Sequence, residues 1–138
     1  MKLLELFSKK VLVGHRGHPA KELENTLESI ESAIKHGADI VEVDIQKTKD
    51  GVLVLSHDES LEKTYGVSKN IRESLWEDLK GVHKDGYRLA RLDDALDLVK
   101  GRVGIIEVPR LVIKAATYHD LRVEKEGDLW VAEVIFDI

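Results

Sequence analysis

Glu42 and Asp44 stand two residues apart inside the apolar run Ala38–Gln46, and no other feature of the chain restricts its fold as much. Side chains two apart on a strand point to the same face. Ile40, Val41, Val43 and Ile45 flank the pair and argue for a buried strand rather than a solvated edge. Burying carboxylates without a partner costs several kcal/mol per charge. Something cationic must therefore sit between them, and a divalent metal is the economical choice.

The rest of the chain supplies a setting for such a strand. Val11–Gly14 is a short apolar run closed by glycine, the pattern of a buried parallel strand. The spacing of Leu27, Ile30, Ala33 and Ile34 predicts a helix over Asn25–Lys35, capped by Gly37. Asp50-Gly51 signals a turn before a strand at Val52–Ser56. Short helices are expected at Ser74–Leu79 and Leu92–Val99, and a strand at Val103–Glu107. Apolar strands alternating with helices give an α/β chain with a parallel sheet. Beyond Pro109 the texture changes to two β-like runs, Leu111–Val123 and Leu129–Phe136, joined by the polar turn Glu124–Asp128, which reads as a β-hairpin.

Three further clusters carry chemistry. Gly14-His15-Arg16-Gly17 ends the first strand and offers a proton shuttle and a fork for phosphate, with glycines that let a substrate approach the backbone. A turn bearing two surface cations is the plainer reading of it. His57-Asp58 ends the third strand. A two-residue loop at Asp50-Gly51 would pair Lys49 with Val52 and set His57 opposite Asp44, on one face. Parallel strands would defeat that pairing and leave convergence to a barrel mouth. Glu107 closes its strand and taken alone is a solvated terminus. Of the remaining histidines, His18, His36 and His83 lack a partner pattern and read as surface or helix-end residues; His119, beside Asp120 in the hairpin, reads as a surface cross-strand residue, and Trp76 as core.

Composition narrows the chemistry. The chain has 138 residues, 43% hydrophobic and 34% charged, the balance of a soluble globular domain. A net charge of -5 gives no support to a nucleic-acid binder. There is no cysteine, so a metal site must use oxygen or histidine, which suits magnesium, calcium or manganese. The apolar stretch Leu3–Phe7 is too short and polar for a signal peptide or transmembrane segment, so the expected location is cytoplasmic.

Taken jointly, Gly14-His15-Arg16-Gly17, Glu24-Asn25-Thr26, Glu42-Val43-Asp44, Thr48-Lys49-Asp50-Gly51 and His57-Asp58 resemble, in order and spacing, the glycerophosphodiester phosphodiesterases. Arg91–Leu96 and Glu107 extend the resemblance, which covers about residues 8–107. It implies a (β/α)8 TIM barrel with its site at the C-terminal ends of the strands. It implies metal-dependent hydrolysis of a small-molecule glycerophosphodiester to glycerol 3-phosphate and an alcohol, the attacker being water or the substrate's own neighbouring hydroxyl. Carried over, Glu42, Asp44 and Glu107 bind a divalent Mg or Ca (or Mn), His15 and His57 act as general base and acid, Arg16 holds the phosphate, and Glu24 and Asn25 support the site from behind.

A barrel of this type needs roughly 200 residues or more, so the expected fold is a partial barrel, its first half at 1–109, followed by a β-hairpin tail at 110–138. The family has a lysine two residues after the last glutamate, where this chain has Pro109. Residues 112–138, with Lys114–His119 and a terminal Asp137, resemble the C-terminal end of the archease family of tRNA-ligation accessory proteins. A composite chain joined near Val108–Val112, or a frameshifted or misassembled gene, accounts for the combination. A half barrel leaves unpaired strand edges, to be covered by the tail or by another chain, and so a homo-oligomer is expected. Two alternatives to the enzyme are kept: a non-catalytic chain retaining only the metal and phosphate pocket, and an archease-like accessory protein.

Overall fold

The computed structural model describes residues 11–110, 121–126 and 129–134. Its centre is strand β2, Ile40–Lys47, which pairs in parallel with β1, Leu12–His15, and with β6, Gly104–Pro109. Its C-terminal half also pairs antiparallel with β3, Leu53–Leu55. Helix α1, Leu27–Lys35, follows β1, and helix α4, Leu92–Val99, precedes β6. Both returns are strand–helix–strand crossovers, and both helices pack on the same face of the sheet.

The alternation of β2 divides the molecule. Val41, Val43 and Ile45 pack with Ile30 and Ala33 of α1 and with Ala95 and Val99 of α4 in one buried apolar cluster. Glu42, Asp44 and Gln46 therefore face the opposite side, and all three are buried. The two helices form because their apolar residues repeat at helical spacing. Thr26 caps α1 by accepting the Ser29 amide, whereas Arg91, at the N-cap of α4, makes no side-chain cap.

Between β3 and α4 lies a second apolar cluster built on Leu61, Tyr65, Ile71, Leu79 and Leu89, with Trp76 half-buried at its edge. It contains helix α2, Glu62–Tyr65, a 3-10 turn at Ile71–Glu73, helix α3, Trp76–Leu79, and the short strands β4, His83–Lys84, and β5, Tyr87–Arg88. The expected helix at Ser74–Leu79 is thus shorter, and its first amide, Trp76 N, is capped by Asp50 Oδ1 at 3.0 Å. The β4–β5 pair is closed by Asp85 and Gly86, with φ of 53° and 86°. This is the left-handed geometry that an Asp-Gly dipeptide favours, and that dipeptide is legible in the sequence.

Strands β7, Leu121–Glu126, and β8, Leu129–Val134, pair antiparallel, and β8 lies antiparallel against β1 with Leu12 opposite Val131. Strand β7 runs through Glu124–Glu126, which the sequence assigns to a turn. Residues 111–120 of the expected first run, with His119, and the C-terminal residues with Asp137 lie outside the described residues.

Candidate active site

The site is assembled where β1, β2 and β6 end. His15 is the last residue of β1 and registers with Glu42. Their side chains share a face, with His15 Nε2 3.5 Å from Glu42 Oε2. The chain then turns sharply: Arg16 and Gly17 have φ of 56° and 84°. A non-glycine residue in this region is uncommon and marks a backbone held by its surroundings. Here the Arg16 amide donates to Glu42 Oε2 at 3.2 Å, and its carbonyl accepts from Asn25 N and Ser29 Oγ.

The glycines serve packing rather than substrate approach. A Cβ on Gly14 would lie 2.8 Å from Ala33 Cβ, and one on Gly17 would lie 2.6 Å from the Ser29 carbonyl carbon. Strand β1 thus rests directly on α1. His18 is likewise no surface residue: it is buried, its amide bonds Ser29 Oγ, its Nδ1 lies 3.0 Å from Ser32 Oγ, and its ring meets His36 edge-on.

Asp44 is fully buried and heavily coordinated. Asn25 donates Nδ2 to Asp44 Oδ2 at 3.0 Å and accepts the Asp44 amide at 3.1 Å. Arg16 Nε lies 3.0 Å from Oδ2, an ion contact without hydrogen-bond alignment, while Arg16 Nη1 donates to Glu24 Oε2 at 3.2 Å. Arg110 donates Nε to Asp44 Oδ1 at 2.7 Å, and its Nη2 is 2.6 Å from the same oxygen. The cation demanded by the buried carboxylate is therefore a pair of guanidinium groups, one of which, Arg110, sequence reasoning missed. Its signal was weak: a single arginine just after Pro109.

Electrostatics separate the neighbouring groups. Burial, reinforced by the Asp44 charge, pushes the Glu42 carboxyl up to about 7. Burial and then the Arg16 charge hold the His15 imidazole below its ordinary value. At neutral pH His15 is thus biased toward the neutral ring, an acceptor of protons, beside a carboxyl poised to ionise.

His57 is not opposite Asp44. The loop has three residues, Lys49–Gly51, between Thr48 and Val52, whose backbones are bonded at 2.9 Å; Gly51 takes φ 89°. Gln46 consequently registers with Val54 and Ile45 with Leu55, and the Asp44 carbonyl accepts the Ser56 amide. His57 follows on the loop beyond β3, with Nδ1 2.7 Å from Asp58 Oδ1 and its carbonyl held by Gln46 Nε2 at 3.0 Å. Arg72, also missed from the sequence, completes this corner: its Nε donates to Gln46 Oε1 at 3.2 Å and its Nη2 to the Arg110 carbonyl at 2.9 Å.

Glu107 does not join the acidic pair. It registers with Val43, so it lies on the helix-bearing side of the sheet, and it is exposed. Ile106 and Val108 occupy the positions beside Glu42 and Asp44. This register keeps Ile105 against the apolar cluster; a one-residue slip would exchange it for the carboxylate.

Residues 15–127 match the model of the glycerophosphoryl diester phosphodiesterase family. The chain belongs to that family. Its fold is that of part of the family's barrel. The glycerophosphodiester phosphodiesterase of Thermotoga maritima superposes with a TM-score of 0.67 at 39% identity, over 74% of this chain and 45% of that one. The enzyme of the same name from Agrobacterium tumefaciens gives 0.70 at 29% identity, over 73% and 47%. The glycerophosphodiester phosphodiesterase of Caldanaerobacter subterraneus is 29% identical over 108 residues, 72% of this chain and 44% of that protein. The chain therefore spans less than half the length of these relatives. The phosphodiesterase family match crosses Val108–Val112, where a junction is expected, and reaches into the segment that resembles archease, a resemblance that gains no support.

A divalent metal does not fit the family residues as this chain arranges them. Both Asp44 oxygens face nitrogen donors, Glu42 Oε2 accepts an amide, and Glu107 is on the other face. Among the described residues, no three acidic or histidine side chains are grouped to hold a metal. Nor, among them, is any helix long and apolar enough to cross a membrane.

Proposed function

We propose that this chain carries the catalytic half of a glycerophosphodiester phosphodiesterase, hydrolysing a glycerophosphodiester to glycerol 3-phosphate and an alcohol. The observation that carries the reading is the convergence of Arg16 and Arg110 on Asp44 beside the His15–Glu42 pair. Each of two guanidinium groups at a strand end can fork onto a pair of oxygens of a tetrahedral phosphodiester. Neutral His15 takes the proton from the attacking water as oxygen bonds to phosphorus. The ionised Glu42 carboxyl stabilises the imidazolium that forms. The bond from phosphorus to the leaving oxygen breaks, and His57, held through Asp58, supplies the proton that makes it an alcohol. Histidine suits both roles because its titration lies near neutrality. Glu24 and Asn25 orient Arg16 and Asp44.

In this reading residues 1–109 are the half barrel, and 110–138 are a tail whose strands β7 and β8 pair with each other, β8 lying along β1. The test is hydrolysis of glycerophosphocholine by the full chain, with magnesium or calcium and with chelator, in parallel with His15→Ala. Turnover in the parent under any of these conditions that falls at least about a hundredfold in the variant supports the reading. No turnover in the parent would sink it and leave a pocket that only binds.

A further inference from the structure

We propose that Arg110 is a tethered counter-cation that keeps divalent ions off Asp44. The inference rests on the reading of this pocket as a phosphodiester site, but its test needs no turnover, so either can fail alone. Asp44 has no exposure to solvent, and a carboxylate so placed requires a compensating charge. Arg110 supplies it through two nitrogens on Oδ1, while Oδ2 is taken by Asn25 and Arg16. A magnesium or calcium ion binds carboxylate oxygen at about 2.0–2.6 Å. It would have to stand where the Arg110 nitrogens are, and the two cations would repel each other. Oδ1 can therefore serve the guanidinium or the ion, but not both at once.

The tether is built into the backbone. The Arg110 amide donates to the Ile45 carbonyl at 3.0 Å, and its own carbonyl accepts Arg72 Nη2 at 2.9 Å. Arg72 is in turn fixed by Gln46 Oε1 and by Glu59 Oε2, each at 3.2 Å. The main chain of Arg110 is thus pinned at the end of β6, while its side chain is 36% exposed and borders solvent on the side away from Asp44. A cation on such a tether acts at a high effective concentration, and a metal in solution competes against it.

The test is Mn2+ titration of the full chain at pH 7, read by calorimetry and by loss of the free-ion EPR signal. Arg110→Gln is expected to bind the ion at least about tenfold more tightly than the parent, and adding Asp44→Asn to that variant should abolish the gain. Arg110→Lys, which keeps a cation, should stay near the parent. Equal or weaker binding by Arg110→Gln overturns the proposal, as does a gain that survives Asp44→Asn. Should Arg110→Gln fail to fold by circular dichroism, Arg72→Gln, which releases the Arg110 carbonyl, reads the same quantity. A severalfold gain there supports the tether, and unchanged affinity overturns it.

Discussion

His15 and Glu42 sit side by side on neighbouring parallel strands, with Nε2 and Oε2 3.5 Å apart. Burial drives their proton affinities toward each other, the imidazole down and the carboxyl up to about 7.

This pairing makes stability depend on pH. Glu42 binds its proton more tightly folded than unfolded. Below its ordinary range it is protonated in both states; through the window from about 4.5 to about 7 the folded state retains the proton that the unfolded state has lost. Its contribution to stability accordingly falls as pH rises across that window, by about 3 kcal/mol at most. His15 acts in the opposite sense, because its lowered folded value makes stability fall as pH drops below its ordinary range. Urea denaturation of the parent and of Glu42→Gln at pH 5 and pH 7.5 isolates the carboxyl. The variant should gain on the parent at the higher pH; a constant difference would refute the assignment.

The acid role of His57 has its own signature. A general acid matters most when the leaving group is a poor one. His57→Ala should slow release of an alkyl alcohol by roughly a hundredfold or more, but release of p-nitrophenol from a matched diester much less. Equal losses on both substrates would assign His57 to binding instead.

Gly17 is expected to tolerate no side chain. Its φ of 84° disfavours any L residue, and a Cβ would fall 2.6 Å from the Ser29 carbonyl carbon. Gly17→Ala combines a left-handed penalty of about 1–2 kcal/mol with overpacking of about 1–3 kcal/mol. Thermal melting should show a midpoint at least about 10 °C lower, whereas Gly37→Ala, with open space around its Cβ, should cost only the backbone penalty.

Strand β6 pairs with β2 alone among the described residues. Among the described residues its other edge carries no partner strand, and such an edge recruits another strand. The chain is expected to sediment as a dimer or larger species at micromolar concentration; a single monomeric boundary across a concentration series would count against this.

Periodicity made the sheet and its helices legible, and Leu92–Val99 has the same bounds in sequence and structure. It also placed Glu42 and Asp44 on one buried face, because alternation is a property of the strand itself. What it could not reach was register between strands distant in the chain. Asp50-Gly51 looks like a two-residue loop, but Thr48 closes the turn with Val52, and the extra residue carries His57 off the position opposite Asp44. For Glu107, one step of register decides between the inner and outer face, and the apolar demand of Ile105 settles it. Arg110 and Arg72 belong to no local pattern. Their importance comes from contacts 66 and 26 residues away, at Asp44 and Gln46, which a linear reading does not display.

Strand β2 keeps two separate ledgers on its alternate residues. Randomising Val41, Val43 and Ile45 would sort variants by whether they fold at all, since those side chains lie in the apolar cluster shared with the helices. Randomising Glu42, Asp44 and Gln46 would sort folded variants by what their pocket can bind, since those side chains meet the ionic network. A short stretch of backbone could thus be screened as two nearly independent libraries, and a new binding specificity reached without first rebuilding the scaffold that displays it.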